Sequence, residues 1–236
     1  TASSSRDWTR SKSDVNSPPP VLRFSFSTSS AKSVSTRASA PSRTSLAPEL
    51  TVNAQGEYLT NLTFVRGKEG WIVFDPLTAL ETARAGLELI NQEVEDLPVS
   101  AVIYSHSHGD HFGGVRGVID EAEIEARGVP VLAPVGFTEA AVAENLLAGN
   151  YMSRRAVLMF GNTLPSGPTG QVGVGLGPAL SQGTIGLIEP TEEIAGRGTV
   201  RVIDGVTFEF VDAAGTEAPA EFMFYLPDFK ALCTAE

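Results

Sequence analysis

All three histidines of this 236-residue chain fall within six residues, in Ser105-His106-Ser107-His108-Gly109-Asp110-His111-Phe112-Gly113-Gly114. The cluster directly follows the apolar run Ala101-Val102-Ile103-Tyr104. A short apolar strand that empties into polar residues is the pattern by which α/β folds place ligand sites at strand C-termini. In extended backbone, side chains two apart project to the same side, so His106 and His108 share a face. Imidazole nitrogens and carboxylates are suitable ligands for zinc. Gly109 allows a sharp turn, after which Asp110 and His111 can address a second metal. Gly113 and Gly114 allow the main chain to pass close to the metals. A polar surface turn is the competing reading. Four metal-type ligands in six residues after a strand favour a metal site.

The flanking sequence alternates strand and helix signals. Leu59–Val65 reads as a strand, residues 67–70 as a turn, and Trp71–Phe74 as a buried strand closed by Asp75-Pro76. Thr78 to Glu81 reads as a capping box for a helix whose buried face is Leu80, Ala83, Leu87, Ile90 and Val94. A helix over Val115–Ala126, a strand at Val131–Ala133 and a helix at Thr138–Leu147 follow. Gly161 to Gly186 is rich in Gly and Pro without period and reads as a long loop. Its Gly173-Val174-Gly175-Leu176-Gly177 does not complete a dinucleotide fingerprint. Val200–Ile203, Val206–Val211, Phe222–Leu226 and Ala231–Cys233 read as strands. The order predicts an α/β layered fold.

Composition divides the chain. Residues 1–45 hold 15 Ser, five Thr, seven Lys/Arg and only two Asp/Glu, whereas the whole chain carries a net charge of −11. Such a segment cannot bury enough apolar surface to offset its chain entropy, so 1–45 is expected to be a disordered tail and 46–236 the folded domain. Organelle transit peptides share that composition; a plain unstructured extension is the favoured alternative. The acidic balance argues against nucleic acid as a partner. No apolar run approaches the ~18 residues of a membrane span. A single Cys excludes an internal disulfide framework.

His-x-His-x-Asp-His resembles the signature of the metallo-β-lactamase superfamily, and Asp75 matches that superfamily's earlier acidic motif. Six phrases resemble, more narrowly, the zinc-dependent alkyl sulfatases. They are Asn61–Phe64, Trp71–Leu77, His111–Gly117, Gly149–Arg155, Thr216–Glu221 and Leu232–Glu236. The resemblance covers roughly residues 53–236. It implies an αββα sandwich with an incomplete second half. It implies two zinc ions that activate a water as hydroxide for hydrolysis of linear primary alkyl sulfates such as dodecyl sulfate. His106 and His108 would bind the first zinc; Asp110 and His111 would bind the second. Glu217 would complete the first site and Glu236 would bridge the ions. Asp110 would also orient the hydroxide.

Several points stay open on sequence alone. Glu221 competes with Glu217 as a ligand on spacing. Arg154 and Arg155 can pair with a sulfate, although a surface pair is favoured. Residues 161–186 are a candidate alkyl-chain tunnel. Cys233 reads as a small core hydrophobe without chemistry. Alkyl sulfatases take a last His ligand, sulfate contacts and dimerisation from later sequence. The chain is therefore expected to be an N-terminal piece of a homodimeric parent, with little or no activity alone. A lactamase, lactonase or thioesterase and an inactive zinc-binding remnant are the alternatives. Export and an organelle are both open as locations.

Overall fold

The computed structural model describes Phe24–Ser25, Leu50–Gln55 and residues 60–174, 182–195 and 198–235. Seven strands form one sheet whose spatial order follows the chain. They are β1 (Phe24–Ser25), β2 (Leu50–Gln55), β3 (Thr63–Arg66), β4 (Trp71–Phe74), β5 (Val99–Ile103), β6 (Val131–Pro134) and β7 (Glu192–Ile194). β2, β3 and β4 pair antiparallel, and β4 to β7 run parallel. Parallel neighbours require crossovers. The helices α1 (Leu80–Glu93), α2 (Gly109–Phe112), α3 (Glu121–Arg127), α4 (Phe137–Val142) and α5 (Gly149–Phe160) lie within those connections. A second, antiparallel sheet holds β8 (Thr199–Ile203), β9 (Val206–Asp212), β10 (Phe222–Leu226) and β11 (Ala231–Cys233), in the order β11-β10-β9-β8.

The unbroken apolar runs of β4 and β5 have a direct explanation. Side chains alternate faces along a strand, and both faces of the first sheet are covered. Trp71, Val73, Val99, Val102, Tyr104 and Val131 enter a core shared with Ala83, Ile90, Phe112 and Phe137 of the helices. Ile72, Phe74, Ala101, Ile103 and Leu132 point the other way, onto Phe208, Phe210, Phe222 and Phe224 of the second sheet. Phe74 meets Phe224 edge to face at 4.6 Å. Burying each such ring stabilises the fold by about 1.5–3 kcal/mol. The layers are thus helix, sheet and sheet, which is the arrangement expected for most of an αββα sandwich.

Local details depart from the sequence reading. The strand expected from Leu59 starts at Thr63. Thr78 caps nothing: Leu77 takes φ 57°, Ala79 is the N-cap, and it makes no side-chain cap bond. Glu81 instead accepts from the Thr184 amide and hydroxyl, both at 2.8 Å. The helix expected over Val115–Ala126 splits into a 3-10 turn, Val115–Gly117, and α3. Asp120 forces the break by capping α3 through the Glu123 amide at 2.8 Å. The helix expected over Thr138–Leu147 becomes α4 followed by a π turn, Ala143–Leu147. β2, β7 and α5 are additions. Within the tail, Phe24 and Ser25 align in parallel with Ala54 and Gln55; the rest of 1–45 lies outside the described residues.

Candidate metal centre

β5 carries the chain to Ser105, and there the two sheets meet. His106 pairs with Glu221 in an isolated antiparallel bridge, and the Phe222 amide donates to the Ser105 carbonyl at 3.0 Å. The chain then enters α2 with His108 as its N-cap in extended conformation. His106 and His111 are fully buried with ring centroids 3.9 Å apart, whereas His108 and Asp110 retain partial exposure.

A hydrogen-bond chain fixes the protons. Ser105 donates its single hydroxyl proton to Asp75 Oδ2 at 2.7 Å. Its oxygen is therefore the acceptor toward His106 Nδ1 at 2.8 Å. That places the His106 proton on Nδ1 and leaves the Nε2 lone pair aimed at His108. Burial, and then the neighbouring His111, push the His106 pKa down to about 4, so the ring is neutral as a metal ligand must be. Asp75 also accepts from the Ser105 amide at 2.7 Å and from His111 Nδ1 at 2.8 Å. His111 thereby directs Nε2 toward Asp110 Oδ2, 3.7 Å away. Asp75 does this from φ 50°, a left-handed conformation that Asp tolerates better than most residues.

Glu217 closes the group. Its Oε1 lies 3.4 Å from His108 Nδ1 and 4.0 Å from His106 Nε2, and those two nitrogens are 2.9 Å apart. Ligand atoms ~2.0 Å from a tetrahedral ion are about 3.3 Å from one another. Three converging donors at these separations suit a single ion, and all lie within 4.8 Å of one another. Asp110 is anchored by the buried Thr60 hydroxyl, 2.7 Å from Oδ2. Burial works to raise the Asp110 pKa, but His111 and the Thr60 bond outweigh it and hold the carboxylate below its ordinary value.

Two positions lay beyond sequence reasoning. Thr60 sits 50 residues from Asp110 and carries no local signal. Glu144, in the π turn, places Oε2 3.5 Å from His108 Nε2, on the ring nitrogen that faces away from Glu217. Next to it, Asn145 donates to the Ser107 carbonyl at 3.3 Å. π turns recur at functional sites because they re-aim a side chain on a helix.

Gly113 and Gly114 are tightly packed against backbone. A Cβ on Gly113 would lie 2.3 Å from the Thr78 carbonyl oxygen, and one on Gly114 2.2 Å from that of Pro76. Both let the loop press against the turn between β4 and α1. Arg154 and Arg155 are exposed on α5. Glu236 and residues 175–181 of the candidate tunnel lie outside the described residues.

Residues 56–216 match the family described as the metallo-beta-lactamase superfamily. The chain belongs to that superfamily. Within it, the chain is 54% identical over 178 residues to a linear primary-alkylsulfatase of Pseudomonas sp., covering 75% of this chain and 26% of that protein. It is 44% identical over 182 residues to an alkyl/aryl-sulfatase of Saccharomyces cerevisiae, covering 77% of this chain and 28% of that protein. Its fold matches a stereoselective inverting sec-alkylsulfatase from Pseudomonas sp. with a TM-score of 0.74 and 43% identity, covering 78% of this chain and 29% of the other. The chain thus spans under a third of the length of these superfamily members. Among the described residues no helix is long and apolar enough to cross a membrane.

Proposed function

We propose that the whole protein hydrolyses alkyl sulfate esters at a zinc centre, with His106, His108 and Glu217 holding one ion and Asp110 and His111 contributing to a second. The convergence of Glu217 on the two histidines carries this reading. It supplies the third donor in a chain with no further His outside the motif. The likeness to alkylsulfatases supports the choice of ester. Imidazole and carboxylate donors suit zinc, which, when bound, acidifies a coordinated water and polarises an ester oxygen.

The chain's own residues do the rest. Ser105 and Asp75 keep His106 and His111 in the tautomers that turn Nε2 inward. Asp110, ionised and tied at Oδ2 by Thr60, orients the attacking water and takes up its proton's hydrogen bond. A sulfate ester is an anion and the chain is strongly acidic, so cations held by His106, His108, Glu217, Asp110 and His111 would supply local positive charge for it. Glu236 would be a further carboxylate ligand of that centre.

The test is sulfate release from dodecyl sulfate by the full-length protein, beside a β-lactam, a lactone and a thioester. Release that a chelator abolishes and zinc restores is expected. Turnover of one of the other esters or amides, with no sulfate released, overturns the reading.

A further inference from the structure

We infer that Glu221, which on spacing rivals Glu217 as a ligand, is instead the positioning residue that presents Glu217 to the metal. The inference rests on reading His106, His108 and Glu217 as the metal group. Glu221 is 4% exposed. Its Oε2 accepts from the Glu217 amide at 2.8 Å and the Ala218 amide at 3.1 Å, and it shares the single Thr216 hydroxyl proton with the Ala213 carbonyl, each 2.8 Å from that hydroxyl. A carboxylate taken out of water is costly unless such donors surround it. Bonds from N–H and O–H groups to an ionised oxygen are short and strong. Two successive amides and a hydroxyl thus wrap residues 216–218 around one anionic oxygen, so this turn is shaped by charge.

Glu217 needs that help. Its side chain is 41% exposed where it meets His108 and His106. A long carboxylate at a surface loses aim unless its main chain is held, and the Glu217 amide is itself one of the three donors. Glu221 is anchored at its other end too. Its main chain bridges His106, and its carbonyl accepts from the Ala213 amide at 3.2 Å. One residue therefore sets the backbone of His106 and the loop of Glu217, the two sides of the metal group.

The experiment is zinc titration of the full-length protein against a competing chelator, with His106, His108 and His111 followed individually by imidazole NMR. Glu221→Ala is expected to weaken zinc at His106 and His108 by about 10–100-fold, the range for loss of a supporting partner. Glu221→Gln retains an acceptor oxygen and falls between it and wild type. Thr216→Val removes one donor and gives a smaller loss in the same direction. The His111 response is unchanged throughout. Zinc affinity within about twofold of wild type in Glu221→Ala overturns the inference. If that variant does not fold, Glu221→Gln and Thr216→Val decide by the same criterion. If Glu221→Gln abolishes zinc binding while Glu217→Ala leaves it intact, Glu221 is itself the ligand; the inference falls and the metal reading stands. If wild type shows no zinc at His106 and His108, both fall.

Discussion

Asp75 Oδ2 and His111 Nδ1 sit 2.8 Å apart, both buried, across 36 residues of sequence. Asp75 comes from the end of β4 and His111 from the first turns after β5, so this contact ties neighbouring parallel strands at the site. Removing Asp75 strands three buried donors: the Ser105 amide, the Ser105 hydroxyl and His111 Nδ1. Asp75→Ala is expected to cost about 3–5 kcal/mol in denaturant unfolding of the metal-free chain. Asp75→Asn tolerates the left-handed backbone and costs less. Equal stability of Asp75→Ala and wild type contradicts the network.

Thr60 holds Asp110 by a hydroxyl that valine lacks at nearly the same shape. Thr60→Val should lower zinc affinity at the His111 side by roughly tenfold, and Thr60→Ser should restore it. The check is zinc titration followed at His111. A valine variant that matches wild type shows that Asp110 is aimed by its own helix.

Zinc that binds the folded chain alone stabilises it by mass action. At about a hundredfold over Kd the gain is about 2.7 kcal/mol, visible as a rise in Tm. Glu217→Ala should show a smaller rise at the same zinc concentration. An identical rise in both proteins removes Glu217 from the site.

Gly114→Ala drives a methyl to within 2.2 Å of the Pro76 carbonyl oxygen and 2.7 Å of that of Ala79. Both are backbone atoms, so the loop itself has to shift. A loss of about 3 kcal/mol in chemical unfolding is expected. Neutral stability implies that the turn after β4 yields more easily than its packing indicates.

Burial pushes the Cys233 thiol up to about 12. Its thiolate is therefore scarce at pH 8, and iodoacetamide should label it far more slowly in the folded chain than in guanidinium. Equal labelling rates mean that β11 opens freely.

The histidine motif, its place after an apolar strand and the α/β layering followed from the sequence because each depends on residues close together in the chain. The burial of β4 and β5 on both faces is written in their unbroken apolar runs. Spacing alone did not separate Glu217 from Glu221, and only the family resemblance favoured Glu217. What only the fold of the 216–221 turn shows is that the Glu221 carboxylate accepts from its own loop while Glu217 faces the histidines. The capping box failed for a related reason: Glu81 found a better donor pair in Thr184, 103 residues away. Thr60 and Glu144 reach the site only because the chain brings distant segments to one strand end. Local chemistry thus named the candidate ligands that lie together. Only tertiary structure could say which distant groups aim them, because a hydrogen bond is set by position in space and sequence spacing does not encode it.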